Sequence, residues 1–205
     1  MKRLFVLAAV LLAVSAVSAS AANVGDSWIQ NVRKADGTDT GLFVMDVGVF
    51  GNSSGVSTAE GSVGPGIYIS SNVPSVGVRY GHFTLAIPDD GKYDVFMTFG
   101  ATTNAKPDAK FVVEYKDAAT SATLVDQTVA GGNVHKWVSL GNYDFLASEG
   151  GKVTLTNENQ STSGSLYITG IKYTLTEKVV PEPGSLLALG SGLLGMAGMV
   201  IRRKA

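Results

Sequence analysis

The sequence predicts an all-β protein built as one antiparallel β-sandwich or jelly roll over residues 23–176. In this region apolar and polar residues alternate over short stretches, which turn residues interrupt about every eight to twelve positions. Valine, threonine, tyrosine and phenylalanine favour strands, and no stretch has convincing helical periodicity. A region of about 155 residues suits one domain with a sizeable core.

The alternation identifies the strands of the second half of this domain. It is clearest at residues 93–99, 111–115, 137–145 and 153–155. Leu140 and Gly141 interrupt the third of these stretches, so we expect a bend there. Polar turns rich in glycine and aspartate separate the stretches, which is typical of antiparallel connections.

Two glycines mark places where the apolar face changes sides. The parity of the apolar positions shifts across Gly81 and again across Gly170, and a glycine at such a shift predicts a β-bulge. The first third is less regular. We expect a strand within residues 41–50 and loops over residues 51–66, which are rich in glycine and serine.

Residues 1–22 predict a secretory signal peptide. Lys2 and Arg3 form a charged start, residues 4–17 are apolar or small throughout, and Ala19 and Ala21 supply the small residues of a cleavage site. A buried N-terminal helix is the alternative. Such a helix would show an amphipathic stripe, which this run lacks.

Residues 177–205 predict a membrane-sorting tail. A proline-flanked motif at 180–184 is followed by an uncharged, glycine-dotted stretch at 185–201. As a transmembrane helix this stretch is about 25 Å long, enough to cross a thin bilayer core. The motif consists of Val180, Pro181, Glu182 and Pro183, followed by Gly184.

The basic residues at both ends of the chain predict its topology. Positive charges stay on the cytoplasmic side of a membrane, so both ends are expected inside and residues 23–176 outside the inner membrane. The membrane stop consists of Arg202, Arg203 and Lys204 within the basic end, residues 202–205.

The motif, the uncharged stretch and the basic end together resemble the PEP-CTERM sorting signal. This resemblance implies that exosortase, a membrane enzyme, recognises the motif, cuts near it and passes the protein to the cell surface or exopolysaccharide matrix. Pro181 and Pro183 favour an extended peptide that an enzyme can grip. A plain C-terminal membrane anchor is the alternative.

Residues 80–175 also resemble golvesin or xanthan lyase C-terminal-like domains. The resemblance rests on residues 88–95, 125–127, 137–145 and 151–155. The family usually closes with an Asp-Ala-Val strand, whereas this chain has Thr169, Gly170 and Ile171 there. The resemblance implies a jelly-roll accessory module found beside polysaccharide-degrading domains, with contact to carbohydrate.

Composition and charge exclude several functional classes. The absence of cysteine excludes disulfides, thiolate metal sites and a cysteine nucleophile. Between the two end segments, eleven basic residues stand against sixteen acidic ones, a net charge of −5, so nucleic acid is not an expected partner.

No motif predicts catalysis or a cofactor. His82 and His135 lie at no metal-ligand spacing, and we interpret them as unrelated. The acidic residues of the strands and turns read as solubilising charges rather than a catalytic pair. Calcium could use the turn carboxylates of residues 36–39 and 89–90 as a structural site, although their spacing matches no calcium loop.

Two tryptophans are the candidate carbohydrate contacts. Trp28 and Trp137 could each stack on a sugar ring, and each could equally serve in packing. The sequence therefore predicts an exported structural or interaction protein of the surface or exopolysaccharide matrix, without catalytic activity. The alternative is a carbohydrate-binding module for the cell's own exopolysaccharide.

Overall fold

The structure, a computed structural model, describes residues 22–70, 77–100, 102–158 and 164–179. These residues form β-strands and one short 3₁₀ turn, Lys116–Ala118. The strands are β1 (Ser27–Asn31), β2 (Phe43–Val47), β3 (Gly51–Val56), β4 (Pro65–Ser70), β5 (Tyr80–Leu85), β6 (Gly91–Thr98), β7 (Ala109–Tyr115), β8 (Ala119–Val125), β9 (Val138–Phe145), β10 (Gly151–Thr156), β11 (Ser165–Ile168) and β12 (Gly170–Lys178).

The strands form three antiparallel sheets. The front sheet has the order β1-β12-β6-β9, the back sheet β2-β5-β10-β7-β8, and the small sheet β11-β4-β3. All three contribute to one hydrophobic core, for example through Tyr93 of the front sheet, Phe111 of the back sheet and Ile67 of the small sheet. The predicted all-β antiparallel sandwich is confirmed.

The bend predicted in β9 is confirmed as a bulge. Val95 pairs with Gly141 and the next residue, Phe96, pairs with Ser139, so Leu140 has no partner of its own on β6. The Tyr143 hydroxyl donates to the Leu140 carbonyl at 2.5 Å.

The two glycines at parity changes have different roles. At Gly170 the chain leaves the small sheet and enters the front sheet, so the change of face is a change of sheet and the predicted bulge is wrong there. At Gly81, β5 pairs with β10 without interruption, and the predicted bulge lies on the other neighbour, β2, whose register shifts between Met45 and Val47 opposite Gly81 and Tyr80. A Cβ on Gly81 would lie 2.7 Å from the Phe43 ring and 2.8 Å from the Met45 sulfur, so close packing requires this glycine.

The first third contains more strands than predicted. The strand expected within residues 41–50 is confirmed as β2. The loop prediction for residues 51–66 is wrong over β3, whose alternation is hidden because its residues are small and polar (Gly-Asn-Ser-Ser-Gly). β1 and β4 were not predicted.

The predicted end segments lie almost entirely outside the described residues. These are the signal cleavage residues Ala19 and Ala21, the sorting motif at 180–184, the apolar stretch at 185–201 and the basic end at 202–205. Within the part of the chain that the structure describes, no helix is long and apolar enough to cross a membrane. The folded domain includes Ala22, which is buried in the core.

Candidate functional site

Trp28 lies on the inner side of the front sheet. Its ring stacks on Tyr173 with a centroid distance of 5.5 Å and an interplanar angle of 17°, and it also contacts Tyr93 at 6.1 Å. The side chain is half-buried at the edge of the core. One face of this indole is therefore covered by the protein itself.

Trp137 lies on the outer side of the same sheet, next to a lysine and a second aromatic ring. The Lys172 ammonium lies 5.0 Å from the Trp137 ring centroid and 4.8 Å from that of Phe96. All three side chains are half-buried. We call these three residues the aromatic–lysine patch. Cation–π attraction at such distances fixes the relative positions of charge and rings.

The alternation of β6 explains why Phe96 faces outward. Val95 and Met97 on either side of it are fully buried, so the period of two places Phe96 on the opposite face. Lys172 pairs directly with Phe96 across the ladder and lies between the buried residues Ile171 and Tyr173. Two residues of the patch thus stand on neighbouring strands, and Trp137 immediately precedes β9.

A loop fixes the orientation of the Trp137 ring. The indole Nε1 donates to the Glu60 carbonyl at 2.9 Å. This loop is anchored in turn by the buried Ser57–Thr98 hydroxyl pair at 2.6 Å and by the Asn31 amide, which donates to Gly61 at 3.3 Å. The ring is therefore held at the sheet surface with its polar edge satisfied.

Two rows of side chains cross the outer face of the front sheet. The row that contains Lys172 and Phe96 of the patch begins with Ile29 and ends with Ser139. The next row consists of Ser27, Thr174, Asp94 and Asn142. Together they place aromatic and cationic groups beside hydroxyl, carboxylate and amide groups on one surface.

The second row is ordered by hydrogen bonds among its own members. The hydroxyls of Ser27 and Thr174 lie 2.7 Å apart, and the Asn142 amide donates to Asp94 at 2.8 Å and to Thr176 at 3.0 Å. Ser27, Asn142 and Thr176 are exposed, Thr174 and Asp94 are half-buried, and these groups retain further hydrogen-bonding capacity. A sugar has an apolar ring face surrounded by hydroxyls, and this surface offers partners for both.

Comparison with known proteins identifies the domain and the tail. The model of the Golvesin C-terminal domain matches residues 35–172, more than half of the chain. The chain belongs to the Golvesin C-terminal domain family. Residues 179–204 match the model of the PEP-CTERM protein-sorting motif. Both resemblances found in the sequence are confirmed, and the golvesin match extends further towards the N-terminus.

Several known proteins are similar in sequence or structure to this golvesin-type domain. Xanthan lyase of Bacillus sp. strain GL1 is 35% identical over 91 residues, which are 44% of this chain and 9% of the lyase. The structure of a Paenibacillus xanthan lyase matches 76% of this chain and 13% of its own, with a TM-score of 0.56 and 23% identity. The CBM22-1 xylan-binding domain of Paenibacillus barcinonensis Xyn10C matches 78% of this chain and 100% of its own, with a TM-score of 0.42 and 15% identity.

These likenesses bear on the fold. The chain spans about a tenth of the length of either lyase, and the solved lyase structure shows that this golvesin-type domain shares its sandwich architecture. The domain therefore corresponds to one part of each of these larger lyases.

The remaining sequence candidates lie apart from the patch or have other partners. His82 on the back sheet contacts Asp46, with 2.7 Å between Nδ1 and Oδ2, whereas His135 precedes β9 and accepts from the Thr58 amide. Among the described residues no three His, Cys, Asp or Glu side chains converge as metal ligands.

The carboxylates considered for calcium are engaged in hydrogen bonds with backbone and side-chain groups. Asp36 accepts from both the amide and the hydroxyl of Thr38, and these bonds hold the pKa of its carboxyl below the usual value. Asp39 accepts from the Gly41 amide, and Asp90 accepts from Ala147. The turn at residues 36–41 thus uses its carboxylates to cap its own backbone, whereas Asp90 binds the backbone of a distant turn.

Sequence reasoning found Trp137 and missed its two partners. Phe96 occupies a polar position in the alternation of β6, and an aromatic residue at such a position is the signal that could have found it. Lys172 carries no comparable signal, because lysine is common on outward strand positions. Its place between the rings depends on the pairing of β6 with β12.

Proposed function

We propose that this protein is exported, sorted by exosortase to the cell surface or the exopolysaccharide matrix, and binds exopolysaccharide there without catalysing a reaction. The observation that carries the binding role is the aromatic–lysine patch beside a row of hydrogen-bonding side chains. The aromatic faces stack on sugar rings, and the polar row exchanges hydrogen bonds with hydroxyls. Lys172 adds attraction for sugar carboxylates.

Several observations support this proposal. The chain is 35% identical over 91 residues to an enzyme whose name refers to a polysaccharide, xanthan, and it carries a PEP-CTERM motif after the domain. The ladder also places the start of β1 beside the end of β12, where the Gly25 amide donates to the Leu175 carbonyl at 2.8 Å. The two segments directed to the membrane would therefore both leave the domain at this end. The rest of the sandwich would then stay accessible to polysaccharide.

The binding role predicts that Trp137→Ala loses affinity for exopolysaccharide. The measurement is retardation of the secreted, processed protein in native gels that contain the cell's own exopolysaccharide. Loss of one stacking ring should weaken binding at least about tenfold, which corresponds to about 1.4 kcal/mol. The matched control is Tyr80→Ala, because Tyr80 is a partly exposed aromatic on the back sheet.

If Trp137→Ala is still retarded like the parent, or if Tyr80→Ala loses as much retardation as Trp137→Ala, the patch is not the binding surface. No retardation of the unaltered protein by any acidic or neutral polymer would favour a purely structural role at the surface. As a control for misfolding, the near-ultraviolet circular dichroism spectrum of Trp137→Ala should equal that of the parent apart from the contribution of the lost indole.

The sorting role predicts that processing depends on exosortase. In a strain with the enzyme, the protein should lose the mass of its tail and leave the inner membrane, and Glu182→Ala should reduce this release. In a strain without exosortase, the protein should stay in the membrane fraction at higher mass. Immunoblots of envelope and medium fractions measure both, and the same mass and location in the two strains would contradict the proposal.

A further inference from the structure

The first described residue, Ala22, is buried against a carboxylate. Ala22 is 7% exposed and belongs to the hydrophobic core. Its backbone nitrogen donates to Asp89 Oδ2 at 2.5 Å. Asp89 lies in the turn between β5 and β6, and its carbonyl accepts from the Tyr93 hydroxyl at 2.8 Å, which ties this turn to the front sheet.

The same carboxylate contacts the end of the last strand. The Lys178 ammonium lies 3.2 Å from Asp89 Oδ2 and 3.3 Å from the Ala22 carbonyl oxygen. The side chains of Asp89 and Lys178 are 26% and 32% exposed, so solvent screens them only in part. Both ends of the domain therefore meet at one partly buried carboxylate.

Ala22 is also the residue that follows the predicted cleavage site. The small residues at 19 and 21 place the signal-peptidase cut between residues 21 and 22, so the signal peptide ends at residue 21, one residue earlier than the predicted signal segment, residues 1–22. We propose that export makes Ala22 the first residue of the mature protein and that its new α-ammonium forms an ion pair with Asp89. The inference rests on the export that forms part of the proposed function.

The chemistry of the cut accounts for the new charge. Signal peptidase hydrolyses the Ala21–Ala22 amide with one water molecule, so the C–N bond breaks and Ala21 leaves as a carboxylate on the signal peptide. The nitrogen of Ala22 becomes an ammonium with three donors in place of one neutral N–H. A charge-assisted bond to a carboxylate is roughly twice as strong as a neutral one.

The pair locks the two ends of the domain only after processing. Before the cut, Asp89 has the Lys178 ammonium as its charged partner and the Ala22 amide as a neutral donor. After the cut, two cations share the carboxylate, while Asp26, which accepts from the Asn23 amide, adds negative charge on the same segment. Removal of the signal peptide therefore stabilises the fold at the new N-terminus, Ala22.

The test moves the charge without removing the amide. One glycine inserted between Ala21 and Ala22 keeps the cleavage residues and the Ala22 N–H, but displaces the ammonium by about 3.8 Å. The full chain is exported in a bacterial host, purified from the membrane in detergent, and sequenced from its N-terminus. Melting temperatures are then compared with and without Asp89→Asn.

The expected N-terminus of the unaltered protein is Ala22. The insertion should lower the melting temperature by about 2–4 °C, which corresponds to the loss of about one tenth of the free energy of unfolding of a typical domain. In the Asp89→Asn background the insertion should have almost no effect. An equal shift in both backgrounds, no shift, or a mature start at another residue would overturn the ion pair. Retention of Met1 would instead contradict export itself.

Discussion

At the scale of single residues, Gly141 shows how the bulge of β9 depends on one backbone conformation. Its φ is +136°, and a Cβ there would lie 2.5 Å from the Tyr143 hydroxyl. That hydroxyl is buried and donates to the Leu140 carbonyl, which also accepts from Thr123 on β8 at 2.9 Å. The glycine therefore permits a contact between front and back sheets.

Gly141→Ala is expected to lower the free energy of unfolding by about 2–3 kcal/mol, through backbone strain and displacement of the tyrosine hydroxyl. Gly132→Ala is the matched control, because Gly132 has a φ of +69° and a Cβ there would meet no atom within 4 Å. The control should cost about 1 kcal/mol from conformation alone. Urea denaturation measures both, and equal losses would contradict the steric account.

Tyr173 predicts an alkaline limit to stability. Burial raises the pKa of its hydroxyl to about 12, and the neighbouring Tyr93 contributes to the increase. In the unfolded chain this phenol ionises near pH 10. The stabilisation is therefore complete below about pH 10 and is lost as the pH rises through about 12, by roughly 2 kcal/mol.

The measurement is the free energy of unfolding as a function of pH between about 9 and 12. Tyr173→Phe should be less stable at neutral pH, because it lacks the tyrosine hydroxyl that donates to the Ala86 carbonyl at 3.0 Å. The variant should lose less stability than the parent at high pH. Parallel curves for parent and variant would show that another group sets the alkaline limit.

At the scale of elements, the small sheet is completed by a side chain. Gln127 is fully buried, and its amide donates to the Tyr167 carbonyl at 2.7 Å while accepting from the Tyr167 amide at 2.8 Å. It thus satisfies both backbone groups of a β11 residue, as a neighbouring strand would. The backbone amide of Gln127 donates to the Lys106 carbonyl at 2.8 Å, and this bond helps to fix the position of the Gln127 side chain.

Gln127→Ala is expected to reduce the free energy of unfolding by about 2–4 kcal/mol, because it leaves two buried backbone groups of Tyr167 without partners. Gln127→Glu is the shape-matched comparison, since its carboxylate accepts from the amide but cannot donate to the carbonyl. It should also destabilise the protein. Thermal unfolding of the three proteins provides the measurement, and a Gln127→Ala loss below about 1 kcal/mol would contradict this role.

The predictability of the elements follows from their side chains. β6, β7, β9 and β10 were predicted because large apolar residues fill every second position. β3 was missed because its residues are small and polar, and β1 because its inner side chains are Trp28 and Gln30. Gln30 spans the core edge to donate to the Thr84 carbonyl at 3.0 Å, a long-range contact that local periodicity does not reveal.

The candidate site was predictable only in part for the same reason. Trp137 stood out by its residue type, whereas its environment depends on strand pairing and on a loop more than seventy residues away in sequence. Trp28, in contrast, lies on the inner face, because the register between β1 and β12 places it opposite Tyr173. Register, which the sequence does not encode locally, separates the two tryptophans.

At the scale of the whole molecule, the sandwich has two outer faces of different character. The front face carries the aromatic–lysine patch and the hydrogen-bonded polar row. The back face carries exposed apolar side chains, among them Val44, Tyr80 and Leu124, with the His82–Asp46 pair between strands β5 and β2. In our account the front face contacts polysaccharide, while the paired ends of the domain lie where the sorting segments attach.

The most direct test of this account is a map of the binding surface in solution. The exported, processed protein, labelled with nitrogen-15, is titrated with oligosaccharides prepared from the cell's own exopolysaccharide, and amide chemical shifts are followed. We predict that the largest changes occur at Phe96, Trp137 and Lys172 and along the row from Ser27 to Asn142. Changes confined to the back face around Tyr80, or no changes at saturating oligosaccharide, would contradict it.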